Sequence, residues 1–174
     1  MTNEQYDIYA LTIPDIICLY AIGGIDASEL VKVSEYMITS GADSECLVDI
    51  MASEDLTTDE ITKLFEKSIE ELGYVLPSNQ EAAITLSKKI AAEILSGTKS
   101  PYEGAMYIWK NIIRNSNDIP DELWPFKSNA SAIEDALSHV KSYVGGGDPS
   151  EYVDLIQACE SEILDSAKQL CVSL

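Results

Sequence analysis

Apolar residues along this chain recur at intervals of three and four, the spacing of one buried helical face. Ile61, Leu64, Phe65, Ile69 and Leu72 share such a face, Ala83, Leu86, Ile90 and Ile94 a second. Tyr152, Ile156, Cys159, Ile163, Ala167 and Leu170 form a third, in the last helix of the chain. Alternation of period two is almost absent. One short run, Tyr74 to Leu76, reads as a strand, and it is isolated between Gly73 and Pro77.

The polar residues between these faces are helix punctuation. Thr12 with Pro14 and Asp15 predicts a helix start, and Gly23-Gly24 its end. Asp26 is placed to cap a helix that runs through Ile38 and stops at Gly41, and Asp43 or Ser44 to cap another through about Met51. Thr57 with Glu60, Ser78 with Glu81, and Ser100 with Glu103 each have the spacing of a capping box; Asp148-Pro149-Ser150-Glu151 repeats the design with Asp as the cap. Asn129 to Val144 has a helical composition and ends at Gly145-Gly146-Gly147. The pattern predicts an all-α fold, a single globular bundle of about eight or nine short helices. No repeat and no shift in composition divides the chain, so residues 1–174 read as one domain.

Composition changes the picture through charge. Thirty Asp and Glu against eleven Lys and Arg give a net charge of −19 in 174 residues. Such a surface excludes direct nucleic-acid binding, which needs cations to displace counterions from phosphate, and disfavours anionic membranes. The charge is uneven: residues 1–60 carry a net −12, residues 61–120 are neutral, and residues 121–174 carry −7. The densest run holds Asp43, Glu45, Asp49, Glu54, Asp55, Asp59 and Glu60 with no Lys or Arg among them. Glu45 and Asp49, four apart on a helix, repel by a few tenths of a kcal/mol. A run that accepts this penalty is either a solvated face or a binding face for a basic protein. Tyr36 lies near it as a candidate aromatic anchor, although a helix tyrosine also serves a core.

Candidate chemistry is sparse. The four cysteines contain no CxxC, and His139, the only histidine, leaves zinc no ligand set. Cys159 and Cys171, twelve apart in one helix, lie roughly 18 Å from each other and cannot bond within it. All four read as reduced thiols. No GxSxG surrounds a serine, no Glu-x-x-His pair or calcium-loop pattern occurs, and the glycine runs neither follow a strand nor precede a Lys-Ser/Thr pair. Met1 to Asp7 holds Glu4 and Asp7 without a basic residue, unlike a secretory signal, and the apolar stretch Ile16 to Ile22 is too short to span a bilayer. These features predict a cytoplasmic protein that is not an enzyme and needs no cofactor or metal.

The stretch from Leu64 to Trp109 carries a resemblance. Leu64-Phe65-Glu66, Glu71-Leu72-Gly73 and Leu76-Pro77-Ser78 lead through Glu81-Ala82-Ala83 and Ile90-Ala91 into Ser100-Pro101-Tyr102-Glu103-Gly104-Ala105 and Ile108-Trp109. Leu123-Trp124-Pro125-Phe126 fits the same picture. It resembles small acidic helical bacterial proteins of uncharacterised function, some of which look like immunity partners of secreted toxins. The resemblance covers about a third of the chain and implies the fold and a partner, not a catalytic residue. Read from the residues, the Pro101–Trp109 motif is chiefly a packing corner: Ser100 and Glu103 cap, Pro101 starts the helix and Gly104 admits a neighbour. The leading expectation is an acidic immunity or inhibitor protein that neutralises a basic toxin such as a nuclease. Asp43, Glu45, Asp49, Glu54, Asp55, Asp59, Glu60 and Tyr36 are its contact residues. An acidic interaction module (an adaptor or a DNA mimic) is the alternative, and a carboxylate enzyme in an interhelical cleft stands third.

Overall fold

The computed structural model describes residues 10–52, 55–142 and 149–172. Among them are eight α-helices, one π-helical segment, a short 3-10 turn after Pro120, and no strand. The all-α expectation holds. The chain falls into two compact units, one ending at Ser78 and the other starting at Asn79. The sequence marks that junction only by the helix-start signal at Ser78.

The first unit contains α1 (Ile13–Ala21), α2 (Leu30–Thr39), α3 (Glu45–Ala52) and α4 (Thr58–Glu71). Thr12 caps α1: its backbone N–H donates to Asp15 Oδ2 at 3.0 Å, and Asp15 N–H donates back to Thr12 Oγ1 at 3.4 Å. Thr57 and Glu60 do the same for α4, a device that contributes about 1 kcal/mol. α1 is buried through Ile16, Ile17, Cys18 and Leu19, with Ile22 and Ile25 completing this core after the helix ends. Phe65 of α4 is fully buried, with the Tyr20 ring edge-on at 5.0 Å. The Tyr20 hydroxyl donates to Glu66 Oε1 at 3.0 Å; burial, then that carboxylate, push its pKa up to about 12.

Asp26 departs from expectation. Its carboxylate accepts from the Ser28 amide at 2.8 Å and from the Ser28 hydroxyl, while its own N–H donates to Glu29 Oε2 at 3.1 Å. It therefore closes a turn over residues 26–29, and α2 begins at Leu30 without a side-chain cap. Tyr74 to Leu76 is not a strand: with no neighbouring strand to supply a ladder it remains an irregular, exposed segment, Val75 at 87% exposure. The chain leaves α4 through Gly73, whose φ of +78° lets Tyr74 N–H reach back to Ile69 O at 3.0 Å.

The second unit contains α5 (Asn79–Ser96), α6 (Pro101–Tyr107), the π-helical segment Ile108–Ile113, α7 (Trp124–Ser142) and α8 (Pro149–Val172). The expected apolar faces are the buried ones: Ala83, Leu86, Ile90 and Ile94 on α5, and Cys159, Ile163, Ala167 and Leu170 on α8. Tyr152 and Ile156, earlier on the same α8 face, are half-buried. Helix α7 begins at Trp124, five residues ahead of the expected Asn129, because Pro125 falls in its first turn, where a missing N–H costs nothing. The cap expected at Asp148 and the glycines 145–147 lie outside the described residues.

The Pro101–Trp109 motif is the packing corner its residues imply. Ser100 caps α6 in a box with Glu103, and Pro101 opens the helix. Gly104 is buried against α5: a Cβ there would lie 2.4 Å from Ile94 Cγ1 and 2.5 Å from Ile94 Cδ1. Past Tyr107 the helix widens into π geometry over Ile108–Ile113, and Lys110 Nζ in that segment lies 3.4 Å from Glu134 Oε1 on α7. Asn79 Oδ1 then ties the following loop to the start of α5, accepting from the Ser116 hydroxyl and from Asp118 N–H at 3.1 Å.

Candidate interaction surface

The described residues of the acidic run from Asp43 to Glu60 are α3, the stretches 43–44 and 55–57 beside it, and the first turn of α4. Helix α3 buries Cys46, Leu47 and Ile50, which turns Glu45, Val48, Asp49, Met51 and Ala52 outward. Asp43 precedes the helix, Asp55 follows it, and Asp59 opens α4; all three are exposed. Among the described residues, none of Asp43, Glu45, Asp49, Asp55 and Asp59 forms an ion pair. Glu54 lies outside the described residues.

Two of the expected contact residues are engaged within their own unit. Glu60 Oε2 accepts from Thr57 N–H at 2.8 Å and from Thr57 Oγ1 at 2.7 Å, which holds its carboxyl below the usual range. Tyr36 is half-buried, and its hydroxyl donates to the carbonyl of Leu11 at 2.9 Å. That bond fixes α2 to the entry of α1, so the ring is an internal brace.

Ser44 caps α3, its hydroxyl oxygen accepting from Leu47 N–H at 3.3 Å, and Glu71, of which local spacing gives no hint, ties that helix start to α4. From the end of α4, Glu71 Oε2 accepts from Ser44 Oγ at 2.8 Å and from Cys46 N–H at 3.3 Å, and Glu71 Oε1 accepts from Cys46 Sγ at 3.1 Å. The carboxylate thus satisfies donors at the helix N-terminus, where the backbone dipole favours negative charge. The Cys46 and Ser44 hydrogen bonds hold the Glu71 carboxyl below its usual range, while burial and then Glu71 push the Cys46 thiol up. Cys46 is therefore a protonated thiol, poor as a nucleophile. Lys67 Nζ stands 3.7 Å from Glu71 in an exposed pair one turn away.

Elsewhere, His139 lies on the exposed side of α7 with Nδ1 2.8 Å from the Asp135 carbonyl and its ring stacked on Tyr152 at 6.4 Å. Among the described residues, no group of three His, Cys, Asp or Glu side chains could hold a metal ion. No described helix is long and apolar enough to cross a membrane. Cys18, Cys46 and Cys159 are buried free thiols, and Cys171 is an exposed one. No family model, curated protein or solved structure matches this chain.

Proposed function

We propose that this chain is an acidic bacterial inhibitor, of the immunity-protein kind, that acts in the cytoplasm by binding a basic toxin such as a nuclease through α3 and its flanks. The observation that carries this reading is the set of five exposed carboxylates without an ion pair among the described residues: Asp43, Glu45, Asp49, Asp55 and Asp59. Internally neutralised carboxylates would add nothing to the field outside the protein. Unneutralised ones accelerate encounter with a cationic surface and occupy the place where that surface would hold phosphate. The four free thiols fit a reducing compartment. In this reading the chain acts by occupying its partner.

The test is affinity capture from lysate of the source organism, with any adjacent toxin-like reading frame co-expressed, and elution by a salt gradient. A variant carrying Glu45→Lys, Asp49→Lys, Asp55→Lys and Asp59→Lys should lose about tenfold or more in affinity at low salt, with helical circular dichroism intact. Equal retention by native and variant protein would remove this surface from consideration. If native protein retains the partner undiminished at high salt, an apolar interface elsewhere is responsible.

A further inference from the structure

We infer that the outer face of α3 is a mixed dock, apolar at its centre and acidic at its rim, for a cationic surface that presents aliphatic side chains among its lysines or arginines. The inference rests on the reading above that α3 faces the partner, and it adds what that partner must look like. Val48 is 53% exposed and Met51 43% exposed, three residues apart and so adjacent on one turn. Ala52, also exposed, lies one turn beyond Val48, and Glu45 three residues before it. Asp49 flanks this row, and Asp43 and Asp55 stand at its two ends.

A single exposed valine or methionine needs no explanation. Two adjacent ones, with carboxylates before, beside and after them, have the composition of a binding patch with an apolar centre and a charged rim. Methionine at the centre suits the role because its unbranched thioether repacks against different neighbours. The rim selects the occupant. A second copy of this chain would set carboxylate against carboxylate, and an anionic lipid surface would be repelled in the same way. A purely cationic partner would satisfy the rim and leave Val48 and Met51 in water. Only a partner that is both basic and apolar uses the whole face.

Two synthetic peptides of equal length and charge test this by fluorescence anisotropy. One carries leucine at helical spacing among lysines; in the other every leucine is serine. Native protein should bind the leucine peptide about tenfold more tightly, the gain from covering two half-exposed side chains. A Val48→Ser, Met51→Ser variant should bring the ratio to about one while the serine peptide binds it as before; Val48→Thr with Met51→Gln is the milder version should the first variant lose helical circular dichroism. A native protein that binds both peptides equally overturns the apolar part and leaves the acidic reading standing, and so does a ratio that survives in the folded variant. Binding of neither peptide at low salt overturns both.

Discussion

Alanine at position 104 should destabilise the second unit even though it replaces glycine inside a helix. Helix propensity alone predicts the reverse, a gain of up to about 1 kcal/mol from the smaller backbone entropy loss. Against it stands the space available. The added methyl would lie 2.4 Å and 2.5 Å from Ile94 Cγ1 and Cδ1, and 3.5 Å from Ile90 Cγ2. Ile94 is 3% exposed and Ile90 8%, so the isoleucine has no solvent into which to swing, and Cγ1 cannot move without turning the whole side chain or shifting α6 away from α5. Overpacking of this kind costs typically 1–3 kcal/mol, and a contact a full ångström too close belongs at the upper end. The net expectation is a loss of about 1–2 kcal/mol. Both tryptophans of the chain, Trp109 and Trp124, lie in the second unit, so their fluorescence during urea unfolding reports on the unit that carries the change. With an m-value of about 2 kcal/mol/M, the midpoint should fall by roughly 0.5–1 M. Combining Gly104→Ala with Ile94→Ala, which removes the atoms in the way, should cost less than the sum of the two single changes. A raised midpoint in Gly104→Ala alone would show that the helices part at little expense and would refute the close-approach reasoning.

Two further substitutions probe other parts of the molecule. Ser87 is fully buried on α5 with no hydrogen-bond partner for its hydroxyl among the described residues, so Ser87→Ala should raise the same fluorescence midpoint, by about 1 kcal/mol; a clear loss of stability would mean that the hydroxyl is satisfied after all. Glu71 has a folded pKa below the ordinary 4.5, so its contribution is complete above that value and is lost as pH falls through the lower, folded one. Glu71→Gln should therefore speed hydrogen exchange at the Cys46 amide relative to native protein near neutral pH, with the two converging in acid. Identical exchange at every pH would show that Glu71 does not hold the start of α3.

What could be read in advance was whatever depends on neighbours three or four residues apart. The boxes at Thr57 and Ser100 stand where their spacing put them, and so do the buried faces of α5 and α8, because caps and amphipathic stripes are local matters. Asp26 misleads for a local reason too: Asp-x-x-Glu closes an isolated turn as readily as it opens a helix. Glu71 was out of reach, since it serves residues 25 and 27 positions away and only the packing of α3 on α4 brings it there. The π-helical segment was equally hidden, for its widened turn has no residue signature comparable to a glycine or proline. On the candidate surface the acids were visible as a run, whereas the internal duties of Tyr36 and Glu60 depended on where a hydroxyl and a carboxylate found partners. The exposure of Val48 and Met51 has no local signature, since apolar residues three apart on a helix are as readily buried.

The carboxylate of Glu71 also makes Cys46 a clock for the helix that it holds. Buried, protonated and bonded to Oε1, that thiol can meet an alkylating reagent only when α3 lifts from α4, whereas Cys171 is open to attack at all times. The ratio of the two modification rates, resolved by mass, therefore measures how often α3 detaches. A partner that clamps the outer face of α3 would slow the Cys46 reaction without ever touching its sulfur.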